Sequence, residues 1–394
     1  MTSNPILSLA IVFILGFFSS RITKKLKIPT ITAYVMLGIL LSPEVLNLLS
    51  EEMLSTSDFF SNIVLGIIAF SLGESFSLDT LRRVGRAVTG ISITAAIMPW
   101  FLVTVAFWLF FKQPFYIALV FGAIASATAP AAVVMVTQEY KSRGDFTDTL
   151  LGVVAIDDAW ALIIFGLSLA FASSFIHDNG HLAGILKDLF RAIIEIFGSL
   201  AIGVVVALIF NKLSHFVKTA KERLIFVLGF LFLAIGSAIL LHFSVLLSCI
   251  AFGATLINTN KLSFEFFNSL RDIDSPLYLI FFVLAGASLK INILAAAIML
   301  ALGYIALRTA GKIAGGALGS KIVDASPSIR KYMGMALIPQ AGVALACALI
   351  AKQTIGGHWG EKILTITIAS TVVFELVGPW ITKFSLIKAG EIKE

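Results

Sequence analysis

The sequence predicts an all-α polytopic membrane protein of about thirteen transmembrane helices, built as two inverted repeats with crossed broken helices. Three observations lead there. Of the 394 residues, 58% are hydrophobic and only 13% charged, with a mean hydropathy of +0.99, which no soluble globular domain shows. Apolar stretches of bilayer length recur from Pro5 to Leu386, and the short polar breaks between them leave no segment for a separate soluble domain. Two segments of the first half also recur, in order, in the second.

The spans fall at about 4–20, 29–42, 59–74, 86–111, 114–138, 147–175, 186–211, 222–240, 244–258, 275–288, 291–319, 329–351 and 362–384. No basic residue precedes the first span and no small-residue cleavage pattern follows it, so it is expected to be retained as a helix. Alternate loops carry very different basic charge. One side holds 21 of the 29 Lys and Arg residues, the other holds six (Lys112, Lys187, Arg191, Lys290, Lys352 and Lys362), and Arg308 and Lys312 fall inside a span. By the positive-inside rule the N-terminus lies outside and the C-terminus in the cytoplasm of a cell inner (plasma) membrane. The same distribution explains the net charge of +6 without a nucleic-acid partner. Cys249 and Cys347 both lie inside apolar spans, which excludes a disulfide framework and makes them packing residues.

Leu26 to Leu41 (LKIPTITAYVMLGILL) aligns without a gap on Leu241 to Leu256 (LHFSVLLSCIAFGATL), pairing Gly38 with Gly253. FSLGESFSL at 70–78 then echoes FVLAGASLK at 282–290. Repeat one would cover about 1–175 and repeat two about 222–386, with a linker helix at 186–211, inside a single membrane domain spanning 1–394. An odd number of spans separates equivalent positions, so the repeats are inverted. Inverted repeats point to a secondary transporter rather than an enzyme.

Two adjacent aspartates, Asp157 and Asp158, lie in LLGVVAIDDAWALIIFGLSLAFA, near the middle of the sixth span. A carboxylate at that depth costs on the order of 2.5 to 3.5 kcal/mol, so a chain that keeps two uses them for ions or protons. The fifth span contains ASATAPAAVV and the twelfth ALIPQAGVAL, which places Pro130 and Pro339 at matched mid-membrane positions. A proline removes a backbone donor and clashes with the preceding turn. A lone one reads as a packing kink, whereas a matched pair reads as two broken helices crossing near the aspartates, with free carbonyls offered to an ion. Arg308 and Lys312 stand one turn apart on one face of the eleventh span, and a buried cation needs a carboxylate. One aspartate can pair with Lys312 while the other faces the pathway, because consecutive residues point about 100° apart. A purely structural salt bridge is the competing reading. Glu74 reads equally as interfacial or as an ion ligand, and Glu375 is deep enough to need a partner, for which Arg308 is the candidate. The histidines, His177, His181, His215, His242 and His358, fall in or beside loops and form no ligand cluster. No cofactor is expected.

These residues resemble the monovalent cation:proton antiporter superfamily. The segments KLKIPTITAYVMLGILLSP, GVVAIDDAWALIIF, FFVLAGASL and GKIAGGALGSK carry the likeness, which is nearest to prokaryotic sodium/proton antiporters with a paired-aspartate motif. The resemblance implies that Asp158 binds cation and proton in alternation, that Asp157 pairs with Lys312, and that Thr128 and Pro130 occupy the first helix break. It implies a six-helix core that moves as an elevator and a separate domain that forms a homodimer. Thr128-Ala129-Pro130 and Asp157 depart from the electroneutral relatives, which carry threonine-aspartate-proline and asparagine there, and so point to the electrogenic branch. Arg308 stands where those electroneutral relatives keep an arginine, so this chain carries both basic residues. The IPQAG of the twelfth span also differs from the arginine-glycine-glutamate of some relatives.

The expected mechanism is competition. Sodium or lithium, hard ions, would be held by Asp158 and Asp157 with carbonyls of the first break and water, and protonation would discharge the same carboxylates. A potassium/proton antiporter of the same fold and a sodium-coupled solute symporter are the alternatives. An intramembrane aspartyl protease needs its aspartates on two facing helices, which an adjacent pair does not supply.

Overall fold

The computed structural model describes residues 4–26, 30–50, 53–54, 57–177 and 182–392. Lys27, His181 and Lys393 lie outside the described residues. Sixteen helices are labelled in chain order among them. They are α1 (Pro5–Leu26), α2 (Thr30–Leu41), α3 (Ser57–Gly73), α4 (Leu78–Leu109), α5 (Phe115–Ala125), α6 (Pro130–Glu139), α7 (Asp145–His177) and α8 (Leu182–Leu213). There follow α9 (Ala220–Leu240), α10 (Val245–Thr259), α11 (Ser263–Ala287), α12 (Ile291–Ala296), α13 (Ile298–Ile322), α14 (Pro327–Ala336), α15 (Gly342–Ile355) and α16 (Gly357–Lys388). No strand occurs among the described residues. In hydrocarbon every backbone amide must be satisfied within its own segment, and helices achieve that.

Seven of these helices contain stretches long and apolar enough to cross a bilayer: Pro5–Thr23, Gly85–Leu109, Asp145–Ser173, Ile193–Phe216, Lys221–Leu240, Ile298–Ile322 and Gly357–Lys388. Of the shorter apolar helices, α5 and α15 are short because the chain breaks inside a span. The fifth span is interrupted between α5 and α6, at 126–129, and the twelfth between α14 and α15, at 337–341. Pro130 opens α6 as its first residue, a position where the missing donor costs nothing. Pro339 lies inside the second break itself.

Elsewhere the helices outrun the predicted spans. α11 starts at Ser263, twelve residues before the tenth span at 275, because FEFFNSLRDID carries too much charge to register as apolar while still forming a helix. Arg271, read as a loop cation, is therefore helical. The fourth span begins at 86 and α4 at Leu78, and between them Gly85 takes φ 75° and bends the helix. That angle favours glycine over any residue with a Cβ.

The chain divides into two compact units. One comprises Met1–Ser57, Val84–Phe165 and Leu279–Glu394, the other Asp58–Arg83 and Gly166–Tyr278. In the first, Gly38 of α2 lies directly on the carbonyl of Val283 in α11, leaving no space for a Cβ. In the second, Gly253 of α10 lies in the same way on the carbonyl of Phe70 in α3. Gly38 and Gly253 are the pair matched by sequence, and Phe70 aligns one residue from Val283. Each unit thus holds one copy of the same backbone approach.

One face of the first unit is sealed by a cluster around Phe146, Leu150, Val153, Val154, Ile156, Met333, Leu337 and Leu386, all buried, with Ala389 and Ile392 packed against it. Glu391, past the end of α16, returns to the start of α7. Its Oε1 accepts from the Phe146 amide at 2.7 Å, and its Oε2 from the Thr147 amide at 2.7 Å and the Thr147 hydroxyl. Two orphan amides of the helix that carries Asp157 and Asp158 are capped this way by a charge suited to the N-terminal dipole.

Candidate functional site

Asp157, Asp158, Thr128, Pro130, Arg308, Lys312, Pro339 and Glu375 all fall in the first unit. The breaks cross and touch. The Ala129 amide donates to the Pro339 carbonyl at 2.9 Å, and Ala129, Ala132 and Ala341 form a small buried cluster where the half-helices α6 and α15 begin. Residues of this size let two backbones meet.

Broken helices expose carbonyls at the ends of their first halves, where the helix dipole is negative. α13 supplies the cations. Arg308, fully buried, donates to the carbonyls of Ile338 at 2.6 Å and Ala127 at 2.6 Å, and more distantly to Pro339 at 3.4 Å, while its guanidinium lies over the Phe374 ring, 4.4 Å from the centroid. Lys312 donates to the Ser126 carbonyl at 2.6 Å and to Asp157 Oδ2 at 2.9 Å, with neither side chain exposed. Carbonyls expected to be free for an ion are therefore occupied: Ser126, Ala127, Ile338 and Pro339 all accept from α13 or from the other break. The expected partnership of Arg308 with Glu375 is likewise corrected, because the guanidinium is committed to the breaks and Glu375 accepts from the Thr32 hydroxyl of α2.

The aspartates differ in what holds them. Asp157 Oδ2 accepts from Lys312 and from the Thr128 hydroxyl, leaving Oδ1 buried and unpartnered. Asp158 makes no ion pair among the described residues, and its Oδ1 is buried without a partner. Thr128 thus addresses Asp157 by its side chain. Two unsatisfied carboxylate oxygens on adjacent residues are costly unless an ion or proton completes them.

Polar residues that the sequence reading left aside complete the frame. Gln340, inside the second break, donates to the Ile124 carbonyl at 2.9 Å and to the Tyr304 hydroxyl at 3.1 Å. Ser126 donates to the Ala96 carbonyl at 2.8 Å, and Trp160 of α7 donates to Ser92 of α4 at 3.2 Å. A signal existed for two of them: Tyr304 lies one turn before Arg308 on the same face, and Gln340 directly follows the mid-membrane proline.

Glu74 belongs to the second unit and pairs with Arg271 at 3.2 Å, an exposed contact. Cys249 and Cys347 are free and buried. Among the described residues no group of three His, Cys, Asp or Glu side chains is arranged to hold a metal ion.

Comparison with known proteins identifies the family and the fold. The chain is 22% identical over 384 residues to a sodium/proton antiporter of Enterococcus hirae, covering 95% of this chain and 97% of that one. It is 21% identical over 391 residues to an ammonium/proton antiporter subunit of Alkalihalophilus pseudofirmus, covering 98% and 96%. Its fold matches the sodium/proton antiporter MjNhaP1 of Methanocaldococcus jannaschii with a TM-score of 0.76, at 19% identity and over 97% of this chain and 98% of that one. The profile of the family described as sodium/hydrogen exchanger, transmembrane, matches residues 8–388. With nearly its whole length matched, the chain belongs to the sodium/hydrogen exchanger family.

Proposed function

We propose that the protein exchanges sodium or lithium for protons by competition at one site centred on Asp158. The family is one of cation/proton antiporters, transporters and not enzymes, and the finer reading rests on one observation. Asp158 is 4% exposed, with an unpartnered oxygen, beside an Asp157 whose other oxygen is already neutralised by Lys312. A hard monovalent cation completes that oxygen set when it binds. A proton completes it in the other half of the cycle.

The Ser126 and Ala127 carbonyls already accept from Lys312 and Arg308, and the cation's principal ligands are Asp158, the free oxygen of Asp157 and water. In the cation-bound form Lys312 keeps Asp157 ionised. When the cation leaves, protons replace it, and the core returns loaded. Paired aspartates allow more than one proton per cation, so exchange is electrogenic, and it runs by an elevator-type movement within a homodimer in the plasma membrane, serving pH homeostasis. The two repeats and their linker, all in one membrane domain, supply the crossed breaks on which the movement depends.

The test is a proteoliposome assay with an internal pH dye, adding sodium, lithium, potassium and ammonium in turn to wild type and Asp158→Asn. Proton movement on adding sodium or lithium, absent in the variant, is expected. A response to potassium alone would move the reading to potassium/proton exchange, and no proton response to any of these cations would move it to a sodium-coupled solute symporter.

A further inference from the structure

A third buried carboxyl stands outside the aspartate site. Glu375 of α16 is 2% exposed and accepts from the Thr32 hydroxyl, and its Oε1 has no partner. Thr371, one turn earlier on the same face, is equally buried and its hydroxyl is also unpartnered. Glu375 and Thr371 therefore leave two polar atoms unsatisfied on one face of α16. An unpaired buried carboxylate is among the most expensive groups a membrane core can hold, and a proton on the free oxygen removes that expense.

The surroundings offer no fixed cation to do so instead. Of the helices packed against α16, α2, α5 and α12 carry no charged side chain and α6 has only Glu139, its last residue. α13 brings Arg308 and Lys312, both engaged at the breaks, and Lys321 in its last turn. α14 brings Arg330 and Lys331 in its first turns, and α15 brings Lys352, which pairs with Glu361. The uncharged titratable groups on these helices include Tyr34 of α2, Tyr304 of α13 and Cys347 of α15.

The same stretch of α16 is in contact with the helix crossing. Phe374 lies under Arg308, the Gly378 backbone abuts Pro339, and the Thr382 hydroxyl donates to the Ala336 carbonyl at 3.1 Å. These residues recur every fourth position along one side, with Glu375 next to Phe374. Glu375 thus stands one residue from a side chain that packs on the crossing.

We propose that Glu375, with Thr32 and Thr371, forms a second proton site that takes up and releases one proton per transport cycle. On release the Glu375 O–H bond breaks and the proton passes to water; on uptake the reverse occurs. The proposal rests on the antiport reading and adds one proton to its stoichiometry.

The experiment compares wild type with Glu375→Gln in proteoliposomes clamped at zero voltage, finding the sodium gradient that halts proton flow against a fixed gradient of one pH unit. Losing one coupled proton lowers the balancing sodium ratio by about tenfold. An unchanged balance point with slower exchange makes Glu375 structural and overturns the proposal. If wild type shows no sodium-coupled proton flow at all, the antiport reading fails instead. Infrared difference spectra of purified protein induced by a pH step, without sodium, give a readout independent of transport: a carboxylic acid band lost in Glu375→Gln but kept in Asp158→Asn is expected. Should Glu375→Gln fail to fold, Thr32→Val keeps the carboxyl and removes its donor; the band should then shift, and a band unmoved by that change overturns the proposal.

Discussion

Lys312 Nζ sits between Asp157 Oδ2, at 2.9 Å, and the Ser126 carbonyl, at 2.6 Å, so a single ammonium ties the aspartate doublet to the first helix break. Removing one partner of a fully buried ion pair costs about 3–5 kcal/mol because the other is left uncompensated. Lys312→Ala should lose stability of that order in a thermal unfolding assay of purified protein. The double variant Lys312→Ala with Asp157→Asn should recover a large part of it, and no recovery would show that the ammonium's bond to Ser126 dominates.

Asp158 is free of any such pair, and its removal has a different outcome. Asp158→Asn should keep wild-type stability without added cation, since no buried countercharge is stranded. It should lose the stabilisation that sodium confers on the wild type, which at a hundredfold excess over Kd is about 2.7 kcal/mol. Melting curves with and without sodium distinguish this from general damage.

Competition fixes a pH signature. If one proton excludes one cation, the apparent KM for sodium rises about tenfold for each unit of acidification once the site is mostly protonated, while the rate at saturating sodium is unchanged. Two competing protons double that slope on a logarithmic plot. A KM that stays flat while the maximal rate falls would place the titrating group outside the binding site. Initial rates in proteoliposomes across a pH series supply the measurement.

Arg308 satisfies carbonyls rather than carboxylates, and its variants should behave accordingly. Arg308→Ala leaves the Ile338 and Ala127 carbonyls unpaired, at about 1–3 kcal/mol each. Arg308→Lys retains the charge but lacks the planar fork that reaches both breaks at once, so an intermediate stability is expected.

Glu391 caps α7 through the amides of Phe146 and Thr147. Glu391→Ala should speed hydrogen exchange at those two amides and cost about 1 kcal/mol, the usual worth of a helix cap. Protection deeper in α7, around Val153 and Val154, should be unaffected.

Much of this frame is legible in the sequence, and the parts that are not share a cause. Two prolines at matched positions announce the breaks, and two cations on one face of an apolar helix announce a buried carboxylate. The Arg308 contacts are hidden because helix-end carbonyls leave no mark on a sequence; a charged residue suggests a charged partner, and Glu375, itself in need of one, is a candidate. Thr32 is 343 residues from Glu375, and a threonine near a helix start looks like ordinary capping. The polar first half of α11 escapes notice because hydropathy finds membrane spans and passes over helices that carry charge.

The arginine between the two breaks also acts as a rivet. Arg308 grips Ile338 and Ala127 together, and the Ala129 to Pro339 bond pins the same joint from another direction. Sliding one half-helix pair past the other would shear all three bonds at once. The joint is stiff against shear, so any stroke that exposes Asp158 first to one side and then to the other has to carry the crossing, α13 and the aspartates as one solid piece, with the compliance located in the chain around them.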